Sequence, residues 1–510
     1  MDYKTTSIRA IRLRFLLVQY TYLIITFILI QVKAIEASPW MLLLMSTWNI
    51  GSYFYIFYKE VKYAPEIHPF TILALICVQY IGINGLSCAT RIIDGENIIF
   101  GGNNINNILV LGAWYLSLQH ILSYTAYYWV LNHTLSTIQT PYSVLIRESY
   151  IPYRKWALTL YKYLWILRFA DLIINLNAYS SMLWDISNKG QLVILTLLVF
   201  GMLRNPRDKK LSKLFWIIVC IEIIRVLGVG SKQSIINNLI PYILYLLIGY
   251  KIKIIKIGRK LLTKLGIIAF FVMFMVFPYV SVFRDIANRE RIAWSEVELT
   301  KVFSEYGDYM LGSGHYASHN EDNKTTSYLA DRAGAITCNA WAIDYAQRKG
   351  IIPKYLLFNA VSLVPRFIWP DKPPNIVGNM LYHIAYGDPN WEIKSLMEYK
   401  SGVTQTYISA GFIGGCYFSL GPVAAIFFPL FAGWFIAKFW VFLRNKIYYN
   451  IVAIWAFYTI INVVLTDFES FDDCGIIFYF FSLFYIFIIK YIFPNKKYQS
   501  WVQPFGTQGT

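Results

Sequence analysis

Long apolar runs, many of them close to one membrane thickness, alternate along the chain with short polar breaks. A hydrocarbon core of about 30 Å takes about 20 apolar residues per helix. Twelve segments approach that length: 15–31, 40–58, 69–88, 107–131, 157–177, 190–203, 214–229, 235–250, 264–283, 418–439, 450–466 and 475–493. The run at 157–177 is the most interrupted, by Lys162, Arg168 and Asp171. The first run lacks a small-residue cleavage site and is followed by further spans, so it reads as a span and not a signal peptide.

One break differs from the rest. Residues 284–417 form a long hydrophilic stretch with nearly balanced charge, and it carries its own apolar pattern. Within it, 329–349 has Leu329, Ala333, Ile336, Ala340 and Ile343 at helical spacing. The stretches 351–369 and 402–417 are too apolar for a solvated linker and are expected to re-enter the membrane or lie on it. A long loop with structure of its own is usually functional. The pattern predicts an all-α polytopic integral membrane protein of about twelve transmembrane helices with one large, structured outer loop. Residues 1–283 supply nine helices, 284–417 the loop, and 418–510 three helices and a tail.

Composition agrees. Of 510 residues, 57% are hydrophobic, 18% aromatic and 15% charged, where an average soluble domain carries about 25% charge. Mean hydropathy is +0.45. A soluble enzyme and a disordered chain are both excluded. The formal charge of +17 is explained by where the cations fall. Twenty-five Lys and Arg lie at the N-terminus, in every second short break and in the tail, against four (Lys33, Arg91, Lys189 and Lys232) in the alternate breaks. The positive-inside rule then places both termini in the cytoplasm and the 284–417 loop outside. Nucleic acid is not an expected partner. Six cysteines make no disulfide framework. The Ile, Lys, Asn and Tyr content suggests an AT-rich, bacterial coding sequence.

Ionisable residues inside spans are costly and point to function or to internal pairing. Glu222 and Arg225, and likewise Arg168 and Asp171, stand three apart and can pair on one helix face. Lys232 lies at the outer end of a span and Arg284 directly after one; each is either an interfacial anchor or a ligand group. Arg332 lies on the amphipathic loop segment. Arg366 lies in Leu-Val-Pro-Arg-Phe-Ile-Trp-Pro-Asp-Lys-Pro-Pro, 363–374, where four prolines bar regular helix. A rigid turn presenting Arg366, Trp369, Asp371 and Lys372 suits a sugar ring beside a phosphate, because an aromatic stacks on the sugar and Arg clamps phosphate oxygens in pairs. The bland alternative is a proline-rich interfacial turn. His315 and His319 have helical ligand spacing but no obvious third ligand, so no metal is expected. The acidic group Asp467, Glu469, Asp472 and Asp473 reads as a solvated turn. No nucleotide-binding glycine loop occurs, and no cofactor is expected.

The layout resembles the O-antigen polymerases, or oligosaccharide repeat unit polymerases (Wzy-type). The 363–374 run carries the likeness, with three further stretches. Residues 227–236, Leu-Gly-Val-Gly-Ser-Lys-Gln-Ser-Ile-Ile, are similar to the family's Gly-Ser-Arg segment, with Lys232 in place of Arg. Asp331-Arg332-Ala333 fits an Arg opening a loop helix. Residues 405–414 fit a Glu-x-Tyr-x-x-x-Gly-x-x-Gly pattern, with Gln405 where Glu is usual, then Tyr407, Gly411 and Gly414. The resemblance covers most of the chain in layout, but 227–414 in motif.

It implies a metal-independent glycosyltransferase of the bacterial inner membrane, working on an undecaprenyl-diphosphate-linked oligosaccharide donor and acceptor, with a chain-length regulator protein as a further partner. Arg366, Arg332 and Arg284 would act at the reacting centre, with His383 or Glu398 as base; His315, His319 and Asp371 are further base candidates. Lys232, Trp369, Asp371, Lys372, Gln405 and Tyr407 would bind substrate. Three other classes compete. A flippase or transporter of lipid-linked sugar would show repeat symmetry between halves. An O-antigen-ligase-like or other multi-span glycosyltransferase would carry an acidic motif on the first outer loop, where only Glu36 occurs. An acyltransferase would need a membrane-buried His, for which His120 is the candidate.

Overall fold

The structure is a computed structural model. It describes residues 3–31, 38–100, 103–134, 142, 145, 151–174, 180–227, 232–256, 258, 263, 277–290, 297–311, 335–353, 384, 411–465 and 476–492. These are almost wholly helical. One short antiparallel pair, β1 (Ile99–Phe100) with β2 (Asn103–Asn104), aligns Ile99 with Asn104.

Helices occupy eleven of the twelve apolar runs; of the other, 264–283, only 277–283 are described. They are α1 (Tyr3–Gln31), α2 (Pro39–Tyr63), α3 (Pro69–Ile93, with a π turn at 78–83), α4 (Leu109–Thr134), α5 (Tyr153–Ile174), α6 (Ser180–Arg204), α7 (Lys209–Leu227) and α8 (Lys232–Lys251). Then come α9 (Phe277–Glu290), α10 (Leu299–Leu311), α11 (Ala335–Lys349), α12 (Phe412–Leu420), α13 (Pro422–Leu443), α14 (Ile451–Leu465) and α15 (Ile476–Phe487). Among the described residues three helices are long and apolar enough to cross a membrane: Ile8–Gln31, Pro69–Ile93 and Pro422–Leu443.

Local sequence sets several boundaries. Pro39, Pro69 and Pro422 stand in the first turns of α2, α3 and α13, where a missing N–H costs nothing. The expected span at 418–439 is shifted, because Gly421 at φ 81° closes α12 and Pro422 restarts the chain as α13. The expected run 190–203 is too short: α6 begins at Ser180, ten residues earlier. Its added turns include Ser187 and Asn188, whose side chains bond to arginines on neighbouring helices.

The chain forms two compact units. Unit 1 comprises 1–139, 329–447 and 459–510; unit 2 comprises 140–328 and 448–458. In unit 1, α4 is the central helix, touched by α1, α2, α11, α12 and α13. It buries Leu109, Ala113, Leu116, Ile121, Tyr124, Tyr127 and Tyr128, and Phe70 of α3 stacks on Tyr127 with ring centres 3.9 Å apart. At Gly433 of α13 an added Cβ would lie 2.1 Å from the Ser123 carbonyl oxygen of α4. Only glycine allows that close crossing. Part of the 284–417 stretch is packed here: α11 buries Ile336, Ala340 and Ile343, and α12 packs on α11. The helix expected over 329–349 is thus present over 335–349.

In unit 2, α6 is enclosed on all sides through Leu192–Phe200, in contact with α5, α7 and α8. A helix apolar all round belongs inside a bundle.

Candidate functional site

Among the described residues of unit 2, the main polar feature is a cluster inside its helix bundle. Arg168 of α5 clamps Glu222 of α7 with both terminal nitrogens, Nη1 to Oε1 at 2.6 Å and Nη2 to Oε2 at 3.0 Å. Arg225, one turn along α7, donates from Nε to Glu222 Oε2 at 2.8 Å. α6 meets further donors. Arg168 Nε bonds Ser187 Oγ at 2.8 Å, Arg225 Nη2 bonds Asn188 Oδ1 at 3.0 Å, and both arginines reach Gln191 Oε1. Gln191 in turn donates to Asn238 of α8.

The Glu222 side chain is fully enclosed, whereas Arg168 and Arg225 keep 11% and 19% of theirs exposed. Two guanidinium groups face one carboxylate, so these three residues carry a net charge of +1. The expected Glu222–Arg225 pair is present, and Arg168 shares its carboxylate. Arg168 bonds Glu222 across 54 residues of chain. The Asp171 side chain lies outside the described residues. Trp165 lies 5.1 Å from the Arg168 guanidinium carbon.

A second buried cluster lies in unit 1. Arg12 of α1 clamps Glu60 of α2 at 2.7 and 3.0 Å and bonds Asn132 of α4. His68 lies 3.1 Å from Glu60. Arg444, just past α13, pairs with Glu66 at 2.8 Å, and Trp440 Nε1 donates to Glu66 at 3.2 Å. Burial pushes the Glu66 carboxyl up, against the pull of Arg444 and Trp440. Arg12 and Arg444 both belong to the twenty-five cations of the positive-inside pattern. Here they are buried structural charges, fixed by two acids from the 59–68 segment. Nothing in a linear charge count separates the two roles.

Most residues expected at the site, namely Arg332, Arg366, Trp369, Asp371, Lys372, His383, Glu398, Gln405 and Tyr407, lie outside the described residues, as do His315, His319 and the acidic group at 467–473. Arg284 lies on α9, flanked by buried Phe283 and Ile286, and Lys232 is the first residue of α8. The side chains of both lie outside the described residues. Asn238 is six residues beyond Lys232, about 9 Å along the helix axis.

The end of the 405–414 pattern is described and explained. An added Cβ at Gly411 would lie 2.4 Å from Asn339 Nδ2, and one at Gly414 would lie 2.7 Å from Asn339 Oδ1. Gly411 also has φ 71°, a conformation natural only to glycine. The Gly414 N–H donates to Asn339 at 2.7 Å, and Ile413 N–H donates to Gln119 of α4 at 3.0 Å. The two glycines therefore seat α12 on α11 and α4. His120, the acyltransferase candidate, is fully buried on α4 against Tyr53. No group of three or more potential metal ligands occurs among the described residues. Compared with models of protein families, with curated proteins and with solved structures, the chain gives no match.

Proposed function

We propose that the protein is a polymerase of polyprenyl-diphosphate-linked oligosaccharide repeat units, acting in the bacterial inner membrane. In this reading the chain crosses the bilayer twelve times with both termini in the cytoplasm, and 284–417 is periplasmic. The growing glycan passes from its lipid diphosphate to the non-reducing end sugar of a new lipid-linked unit. The acceptor hydroxyl oxygen bonds to the anomeric carbon, the bond from that carbon to the diphosphate oxygen breaks, and the lipid diphosphate leaves. The hydroxyl proton passes to a base, for which His383 and Glu398 are the candidates. The energy is in the substrate, so no nucleotide is needed.

Charge on the leaving diphosphate is what the protein must stabilise. The observation that supports the reading most is the arginine excess in unit 2. Among the described residues Arg168 and Arg225 stand against one carboxylate, partly exposed, in helix halves that the loop charges assign to the outer face. The Pro-Arg-Phe-Ile-Trp-Pro-Asp-Lys-Pro run adds Arg366 and Trp369 for phosphate and sugar.

The test is the ladder of lipid-linked or surface glycan in a deletion strain carrying each variant at matched protein level. Arg366→Ala is expected to stop at a single repeat unit. Arg366→Lys is expected to fail as well, because an ammonium does not reproduce a bidentate fork. Lys232→Arg is expected to give a normal ladder. A normal ladder from Arg366→Ala removes that residue from the site, and with a positive lipid-flipping assay it moves the reading to a transporter.

A further inference from the structure

Helices α1 and α2 run antiparallel and leave a groove along their outer side. Its walls are Phe15, Val18 and Tyr22 from α1, with Leu44, Trp48 and Tyr55 from α2. Its volume is about 630 Å³, within the roughly 300–1,000 Å³ of ligand pockets. A second hollow of about 360 Å³ shares Val18, Tyr22, Leu44 and Trp48 with it and extends along α1 to Leu29. From Arg14 to Leu29 is 15 residues, about 22 Å of helix. That exceeds one leaflet, about half of the 30 Å hydrocarbon core.

Four features make this more than an apolar face. Arg14 is exposed and lines one end of the groove, and none of the groove's other lining residues is charged. Lys59 lies over the ring of Tyr55 at that same end, 5.2 Å from its centre. The wall is also held in place. Trp48 stacks on Tyr22 with ring centres 5.5 Å apart, and its indole N–H donates to Gln19. At mid-groove α2 has Gly51, where an added Cβ would meet nothing within 4 Å. The groove stays open because residue 51 has no side chain, on a helix stripe otherwise filled at 44, 47, 48, 52 and 55.

We propose that this groove is a binding site for an anionic glycerophospholipid, with an acyl chain along Val18, Leu44 and Trp48 and the phosphate between Arg14 and Lys59. Apolar length sets the chain, and the cationic end sets the headgroup. Cation clusters beside membrane helices recognise anionic headgroups in this way. A zwitterionic lipid offers the same chain but brings a cation to the cationic end. The proposal is independent of the glycan chemistry.

The test uses the full-length protein in neutral detergent, with retained lipid read by native mass spectrometry. Phosphatidylglycerol and phosphatidylcholine of identical chains are added in turn. Wild-type protein is expected to retain phosphatidylglycerol at least tenfold over phosphatidylcholine. Arg14→Gln combined with Lys59→Gln is expected to bring that ratio near one. Gly51→Leu is expected to remove both lipids while melting at the wild-type temperature; if it does not fold, the Arg14 and Lys59 exchange decides alone. Equal retention of the two lipids by wild type overturns the proposal, as does phosphatidylglycerol binding unchanged in the variants. Polyprenyl phosphate retained in preference to phosphatidylglycerol, and lost in Gly51→Leu, also overturns it and gives the groove to the glycan carrier.

Discussion

Glu222 shows at the scale of one residue why a charge is kept inside a helix bundle. Its carboxylate accepts three charge-assisted hydrogen bonds, two from Arg168 and one from Arg225, and both arginines also reach α6. Removing one partner of such a buried pair typically costs about 3–5 kcal/mol, because the other charge is left uncompensated. Glu222→Leu is therefore expected to lower the melting temperature strongly, and Glu222→Leu with Arg168→Met to recover part of the loss. Additive losses in the double variant would show that the two do not act as a pair. Lys446, between α13 and α14, gives a pH dependence. Burial pushes its amine from 10.5 down to about 8. Between those values the unfolded chain binds more protons than the folded one, so stability from this group rises as pH rises and is lost as pH falls through 8. The melting-temperature difference between wild type and Lys446→Met is expected to shift in favour of wild type from pH 7.5 to pH 10. A constant difference would contradict the assignment.

At the scale of helices, two glycines make opposite predictions. Gly433 lies against the backbone of α4, and Gly51 faces open space. Gly433→Leu is expected to cost about 3 kcal/mol or more through overpacking, read as loss of folded protein in detergent. Gly51→Leu is expected to stay within about 0.5 kcal/mol of wild type, as open surface sites do. The reverse order would mean that the α4–α13 crossing is misassigned. Helix positions were legible in the sequence, because an apolar run long enough to span a bilayer has few other uses. Helix ends were less so. α6 extends past its apolar run because Ser187 and Asn188 are needed as bonding partners inside the bundle, and polarity alone resembles a loop. Partners across the bundle were not legible at all. Arg168 and Glu222 are 54 residues apart, and Arg12 and Glu60 are 48 apart, while sequence spacing reports only neighbours on one helix. Of the 405–414 pattern, Gly411 and Gly414 are explained by helix seating, while its expected site residues, Gln405 and Tyr407, lie outside the described residues.

At the scale of the whole molecule, the account joins an all-helical membrane chain to a transfer reaction on its outer face. The orientation has its own check. Fusion of a reporter active only in the cytoplasm at residue 208, and of one active only in the periplasm at residue 320, is expected to give signal at both sites. Exchanging the reporters is expected to abolish both signals, and retained signal after exchange would invert the topology. The central claim is polymerisation itself. Purified protein in proteoliposomes, given polyprenyl-diphosphate-linked repeat units and no nucleotide or metal, is expected to produce glycan of many repeats with release of one lipid diphosphate per bond formed. The same protein carrying Arg366→Ala is expected to produce none. Repeat units that cross the bilayer unchanged in length, with no lipid diphosphate released, would contradict the account.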